Sequence, residues 1–399
     1  MYKTLGLIGE RAASSDPKNV HLWIPNMFEF KGGIQVYSAF LLEAIQSILS
    51  TSQLDIFFKH DQCVTSDFSV KENMRLHFSG SYNPRLRTAA FAANLAINGL
   101  TQRPNLILST HPNFTLVSYW LKKIAGIPYW TVAHGVDAWD IQRPALQQAL
   151  QQADRILAVS HYTRDRLIQE QDLDPAKVLV LPNTFDADRF QIAPKPQYLL
   201  DRHQLNAHQP IILTVARLDS SERYKGYDQI LQALPAIRQS IPNVHYLLVG
   251  KGSDRSRIEN LIYQLQLQDC VTLTGFIPDS ELCDYYNLCD VFAMPSKGEG
   301  FGIVYLEALA CGKPTLGGNQ DGAIDALCHG ELGILVDPDQ INNMAHTLIQ
   351  VLQGNSPHPI LYQPEVLRQQ VIAKFGFNQF QSTLAEILKT QYHSAQSPH

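Results

Sequence analysis

Cysteine, charge and long apolar runs are all scarce in this chain, and each scarcity excludes something. The 399 residues hold six cysteines, five of them in the second half, with no C-x-x-C spacing. Most sit in apolar surroundings, as Cys311 does between Ala310 and Gly312, so buried reduced thiols and a cytoplasmic setting are expected. No run of about eighteen apolar residues occurs, which excludes a membrane-spanning helix. The segment Met1–Asp16 lacks the apolar core of a signal peptide. Basic residues are not in surplus: the formal charge is −5 and the pI about 6.3, so nothing draws the whole molecule to nucleic acid. No internal repeat is visible. What remains is 45% hydrophobic and 17% charged, a globular composition long enough for two domains.

Short β-prone runs alternate with helical patterns nearly throughout, which predicts parallel sheets covered by helices. In the first half the strand candidates are Val20–Ile24, Leu54–Phe58, Leu106–Ser109, Tyr129–Ala133, Ile156–Val159 and Val178–Leu181. Between the first two, Ile34, Tyr37, Leu41, Ile45 and Ile48 recur at helical spacing. A second set follows at Ile211–Val215, Tyr246–Val249, Val271–Thr274, Val291–Met294 and Ile334–Val336, with helices clearest at Tyr227–Arg238 and Arg255–Leu265. Pro235 is a candidate kink in the first of these helices. The stretch Asp186–Pro210, with Pro194, Pro196 and Pro210 and no period, reads as the linker. The expected domains are therefore 1–195 and 196–375, followed by a terminal helix and polar tail at 376–399.

Chemistry concentrates in Ser296-Lys-Gly-Glu-Gly-Phe-Gly-Ile-Val-Tyr-Leu-Glu-Ala-Leu-Ala-Cys-Gly-Lys-Pro314. Glu299 and Glu307 stand eight residues apart, with glycines at 298, 300 and 302 around the first. Glycine lets backbone approach a ligand closely, and a glycine-rich loop entering a helix offers N–H groups and positive dipole to an anion. The apolar run from Ile303 to Ala310 predicts that helix, ended by Gly312 and Pro314. Two carboxylates beside a phosphate site suggest a ligand with phosphate in its middle and hydroxyl-rich groups on both sides. A nucleotide sugar has that layout.

This segment resembles the signature of the retaining glycosyltransferases of the GT-B fold, of the family-4 (glycosyltransferase group 1) type. The resemblance implies an α/β chain of two Rossmann-like domains whose parallel sheets face each other across a cleft. The first domain would bind the acceptor and the second the nucleotide sugar. The last helix, within Asn378–Leu388, would cross back to the first domain. Glu299 would then lie against the donor sugar and Glu307 would bind the ribose. Gly300, Phe301, Gly302 and Ile303 fall in the same donor site.

Other motifs extend the resemblance. In Val215-Ala-Arg-Leu-Asp-Ser-Ser-Glu-Arg-Tyr-Lys-Gly226, Arg217 falls at a strand end, where α/β sheets place ligands. Arg and Lys suit a diphosphate, and the resemblance gives that grip to Arg217 and Lys225, with Arg223 a substitute for either. Gly32 and Gly33 of Lys31-Gly-Gly-Ile-Gln-Val-Tyr37 match a glycine pair that contacts donor and acceptor. His134, in Tyr129-Trp-Thr-Val-Ala-His-Gly135, matches a His facing the donor sugar. Phe276, in Thr274-Gly-Phe-Ile-Pro278, belongs to a loop cradling the base through backbone groups. Ser160 is a good N-cap. In Pro182-Asn-Thr-Phe-Asp186, Thr184 replaces a usual glycine and Asn183 is suited to a left-handed conformation. Gly250-Lys-Gly252 lacks the third glycine of a dinucleotide fingerprint and reads as a tight turn. The strings Asp172–Asp174, Asp186–Asp188 and Asp337–Asp339 read as caps and turns, so neither a metal nor a cofactor is expected.

The implied reaction moves a hexose from a nucleoside-diphosphate sugar to a hydroxyl of a glycan or lipid-linked acceptor. The resemblance favours a front-face route in which the leaving diphosphate takes the acceptor's proton. GDP-mannose or UDP-glucose is favoured, because Asn319–Asp325 is similar to loops of mannosyl- and glucosyltransferases of polysaccharide assembly. Two other readings stand: a non-hydrolysing nucleotide-sugar 2-epimerase, and a non-catalytic nucleotide-sugar-binding subunit. Arg85, Arg87, Phe91, Leu95, Lys122 and Lys123 mark either a core helix with solvated ends or a face for peripheral association with the cytoplasmic side of a membrane.

Overall fold

The computed structural model describes residues 17–28, 32–65 and 68–394; Lys31 lies outside them, as do residues 1–16 of the stretch 1–19 for which the sequence suggests no role. The first of two parallel sheets holds β1 (Asn19–Ile24), β2 (Gln53–Phe58), β3 (Met74–Phe78), β4 (Leu106–Ser109), β5 (Tyr129–Ala133), β6 (Arg155–Ala158) and β7 (Val178–Val180), ordered β3-β2-β1-β4-β5-β6-β7. The second holds β8 (Ile211–Val215), β9 (His245–Val249), β10 (Val271–Gly275), β11 (Val291–Met294), β12 (Thr315–Gly318) and β13 (Ile334–Val336), ordered β10-β9-β8-β11-β12-β13. Strands β5, β9 and β11 are buried along their whole length. That is why they read as largely apolar runs: helices cover both faces of a parallel sheet.

Two strands escape sequence patterning. Edge strand β3 (Met-Arg-Leu-His-Phe) buries only Met74 fully, so no apolar run marks it. β12 (Thr-Leu-Gly-Gly) ends in residues of low strand propensity. Packing explains them, because a Cβ on Gly318 would lie 1.9 Å from the Ser296 carbonyl oxygen. The stretch Asp186–Pro210 is likewise not featureless; it contains the helix Gln197–His203, anchored by buried Leu199 and Leu200. Pro235 sits inside the helix Tyr227–Ser240 without ending it. Asn183 does not adopt a positive φ. All six cysteines are unpaired, with Cys270, Cys289 and Cys311 buried and Cys63 exposed.

Strand order reverses between β1 and β4 in one sheet and between β8 and β11 in the other, and ligand crevices open at the carboxyl ends of such strands. The loops after β8 and β11 carry Arg217 to Gly226 and Ser296 to Gly302. The chain passes between lobes twice, and the passages touch: Phe185 and Gly376 form a parallel bridge. Beyond Gly376, the helix Phe377–Ser394 packs on the helix Gly33–Ile48 of the first lobe. Phe380 meets Tyr37 edge-on at 5.5 Å, and the Gln381 amide donates to Ser47 Oγ at 2.7 Å. Phe380→Ala should cost about 3–5 kcal/mol, the usual loss for a buried aromatic. Urea unfolding checks this, and an unchanged midpoint would show that this docking contributes nothing.

Candidate active site

The lobes meet backbone to backbone. A Cβ on Gly300 would lie 1.7 Å from the His134 carbonyl oxygen, and one on Gly135 would lie 2.8 Å from Gly300 Cα. Only glycine at both places permits this approach. The Gly300 carbonyl accepts hydrogen bonds from Ser160 Oγ (2.6 Å) and Thr163 Oγ1 (3.1 Å). Ser160 Oγ also accepts from Thr163 N at 2.9 Å, so the residue read as an N-cap works on both lobes. Next to it, the Tyr162 amide donates to Asp325 at 3.0 Å.

This contact sets Glu299 in place. Asp321 accepts from the Glu299 amide (2.8 Å) and the Ala323 amide (3.0 Å), and the Glu299 carbonyl accepts from Gly322 N (2.9 Å). Burial pushes the Asp321 carboxyl up to about 6, against those hydrogen bonds and one from Ser296. Gly302 takes φ +86 at the entrance to the helix Ile303–Ala310. Glu299 is ion-paired with Lys225, and Lys225 also lies 3.5 Å from Glu222, which pairs with Arg217. Burial works against the Lys225 charge, but Glu299, Tyr224 and Glu222 outweigh it and hold its pKa well above the ordinary lysine range. Three of the residues singled out in the sequence thus form one network at the switch point of the second sheet. Arg223 is not part of it. Its guanidinium binds Asp254 at 2.8 Å, an acid also held by Arg257 and by Tyr227, so Arg223 is no substitute for Arg217 or Lys225.

His134 directly follows β5, with Nε2 3.0 Å from the Thr110 carbonyl oxygen, so Nε2 carries the proton and Nδ1 is left as the acceptor. Burial lowers its pKa to about 3, against the Thr110 hydrogen bond, so the ring is neutral in any physiological range. Asp137 braces the same turn by accepting from His134 N at 3.0 Å, while its buried Oδ2 has no partner. Burial raises the Asp137 carboxyl to about 7.

Glu307 lies apart. Its carboxylate accepts from Tyr286 Oη at 2.7 Å, and no hydrogen bond or ion pair among the described residues joins it to Lys225, Glu299 or Arg217. Burial raises it to about 7 despite that hydrogen bond and the nearby Arg189. Phe301 is a core residue, its ring 5.5 Å from Phe375, so only its backbone can face a ligand. Phe276 is 69% exposed, with the Lys251 ammonium 4.9 Å from its ring centre. Gly32 caps the helix Gly33–Ile48, and a Cβ on Gly33 would meet nothing among the described residues, leaving room for a ligand. Gly250 and Gly252 form the tight turn, pressed against the carbonyls of Ala216 and Leu218. Asp174, Asp186 and Asp337 each accept from a backbone amide two residues on, as turn residues do. Glu222 and Asp137 are residues that sequence reading passed over, and Asp321 and Asp325 enter it only as part of a loop similar to those of other transferases; nothing in the local pattern reveals what these acids hold.

The fold and this crevice define an α/β two-domain glycosyltransferase architecture of the GT-B class. Residues 33–189 match the family described as Glycosyltransferase Family 4, and residues 199–363 match Glycosyl transferases group 1. The chain belongs to this glycosyltransferase family. It is 32% identical over 220 residues to a GDP-mannose-dependent alpha-(1-6)-phosphatidylinositol monomannoside mannosyltransferase of Mycobacterium tuberculosis, covering 53% of this chain and 56% of that one. The match therefore spans about half the length of that relative. A D-inositol 3-phosphate glycosyltransferase of Mycobacteroides abscessus is 25% identical over 351 residues, 80% of this chain and 77% of that one. Among solved structures, sucrose-phosphate synthase from Thermosynechococcus elongatus superposes with TM-score 0.77 at 22% identity, over 94% of this chain and all of that one (100%). Anabaena HepE in complex with UDP and glucose gives 0.72 at 18% identity, over 94% and 100%.

The raised pKa of Glu307 has a thermodynamic consequence. The folded state holds this proton more tightly than the unfolded chain, so stability is full below about 4.5 and is lost as pH rises through about 7. Glu307→Gln should remove up to about 3 kcal/mol of that loss. Unfolding curves of both proteins from pH 4 to 8 test it; a difference that stays constant with pH would contradict the assignment.

Proposed function

We propose that the protein transfers a hexose from a nucleoside-diphosphate sugar to a hydroxyl of a glycan or lipid-linked acceptor, with retention and without a metal. The observation that carries this reading is the Lys225–Glu299 pair, placed at a topological switch point and pressed by Gly300 against His134 of the other lobe. Arg217 and Lys225 bring two positive charges to the end of β8, where a leaving diphosphate gains charge. Neutral His134 is no acid at working pH; its Nδ1 accepts from a sugar hydroxyl and orients the donor. The diphosphate oxygen takes the acceptor's proton as the glycosidic bond to the leaving group breaks and the new one forms on the same face. Lobe contact through Gly300 excludes water from that step. The GDP-mannose-dependent relative, and HepE, whose structure is also known with UDP-glucose, favour GDP-mannose or UDP-glucose as donor.

Acceptor-dependent release of nucleoside diphosphate, in the presence of EDTA, is the expected activity. Lys225→Ala should lower kcat/KM at least about a hundredfold. Epimerised donor without any acceptor, or unchanged turnover in Lys225→Ala, would sink this reading.

For the lipid-linked acceptor of this proposal, the first lobe has a surface suited to reaching it. Phe91 and Leu95 are buried and Lys122 pairs with Asp154, so the residues grouped in the sequence do not form one face. A different face is exposed: Leu86, Ile97 and Leu100 on the helix Pro84–Gln102, and Trp120 and Ile124 on the helix Thr115–Ala125. Gly99 lets the two helices touch at Leu121, and neither contains an acidic residue. Arg85, Arg103 and Lys123 are exposed there, although the whole chain is negative. Apolar stripe and cations together suit an anionic lipid surface, whereas a second copy would set like charges against each other. The protein should co-sediment with phosphatidylglycerol vesicles and not with phosphatidylcholine alone, and Trp120→Ser with Ile124→Ser should abolish this. Binding unaffected by that double change, or a dimer that it dissolves, would refute the lipid assignment.

A further inference from the structure

Glu222 has no task in the reading above, yet its carboxylate occupies the centre of the cationic site. It is one-tenth exposed and lies between Arg217, which it pairs with, and Lys225, 3.5 Å away. The chain is shaped to put it there. Asp219 accepts from the Ser221 and Glu222 amides, and Glu222 leaves helical geometry at φ −114 and ψ 24 inside the turn Ser220–Lys225. Arg223 next to it faces away, onto Asp254.

We propose that Glu222 is the resident counter-anion of the diphosphate site: it keeps Arg217 and Lys225 together while the site is empty and competes with the bound nucleotide, so that the spent diphosphate leaves. This rests on Arg217 and Lys225 being the diphosphate grip. Two carboxylates, Glu222 and Glu299, neutralise these two cations, so an arriving diphosphate brings excess negative charge into a balanced network. Glu299 is to be turned to the sugar hydroxyls; Glu222 has no such ligand. Nor is it built merely to hold Lys225. Its Oε2 is buried without a hydrogen bond, so the Lys225 ammonium is attracted by its charge but not directed by it. Arg217 is the mobile partner, with its side chain 63% exposed, and it can leave Glu222 for phosphate while Lys225 stays enclosed. Every contact that nucleotide gains at Arg217 is then made at the expense of the one with Glu222. Retained beside the product, the carboxylate repels it.

Titration calorimetry with UDP and with GDP tests the proposal on the full chain. Glu222→Gln should bind the nucleoside diphosphate about tenfold more tightly, as expected for removing one nearby like charge. Its dissociation rate, read by stopped-flow competition, should fall in step. Glu222→Asp keeps the charge but withdraws it by one methylene, and should fall between Gln and wild type. If Glu222 only positions Lys225, the order reverses and Glu222→Gln binds more weakly; equal or weaker binding overturns the inference. Equal tightening by Asp and Gln overturns it too, because charge would not be the cause. Wild-type protein that binds neither nucleotide would instead fail the active-site reading beneath it. Should Glu222→Gln fail to fold, shown by its thermal transition, the Asp variant alone must still bind more tightly than wild type.

Discussion

The approach of Gly300 to His134 and Gly135 is the constraint on which the rest depends. Two loops from different sheets touch through main chain alone, and no side chain larger than hydrogen fits between them. Because the Gly300 carbonyl is held by Ser160 and Thr163 of the first lobe, the position of Glu299, one residue earlier, is set by both lobes at once. Asp321 then fixes the Glu299 amide from behind. A site whose first residue is positioned by contact across an interface is complete only when the interface is closed. That links the chemistry to the conformation without any separate device.

The two glutamates of the glycine-rich segment differ in character although they share one signature. Glu299 faces a lysine and is compensated by it. Glu307 sits on the buried side of its helix, with a tyrosine hydroxyl as hydrogen-bond donor and a pKa near neutrality. Environment, not residue type, separates a carboxylate paired with a cation from one that burial raises to about 7.

Most strands buried on both faces were legible because burial writes an apolar run into the sequence, as in β11. Elements defined by close packing were not. Gly317 and Gly318 look like a loop until Leu327 is seen against the first and the Ser296 carbonyl against the second, and Phe301 looks like part of a ligand loop until its ring is found against Phe375. At the site, Arg217 and His134 fall at predicted strand ends and Glu299 among its glycines, and the family resemblance singled them out together with Lys225. Glu222, Asp321 and Asp137 could not, since their significance lies in what they touch across the fold: a cation pair, a loop amide and a turn. Arg223 shows the reverse error, a cation in the right interval whose partner, Asp254, comes from 31 residues away.

One consequence follows from the side-by-side passages at Phe185 and Gly376. The helix Phe377–Ser394 completes the packing of the first lobe, so that lobe is not one continuous piece of polypeptide. During synthesis the first lobe emerges from the ribosome early but waits for residues near 380 before Tyr37 is covered. The second lobe, wholly contained between the passages, can finish sooner. The packing of the first lobe is thus completed only after the second lobe has been translated.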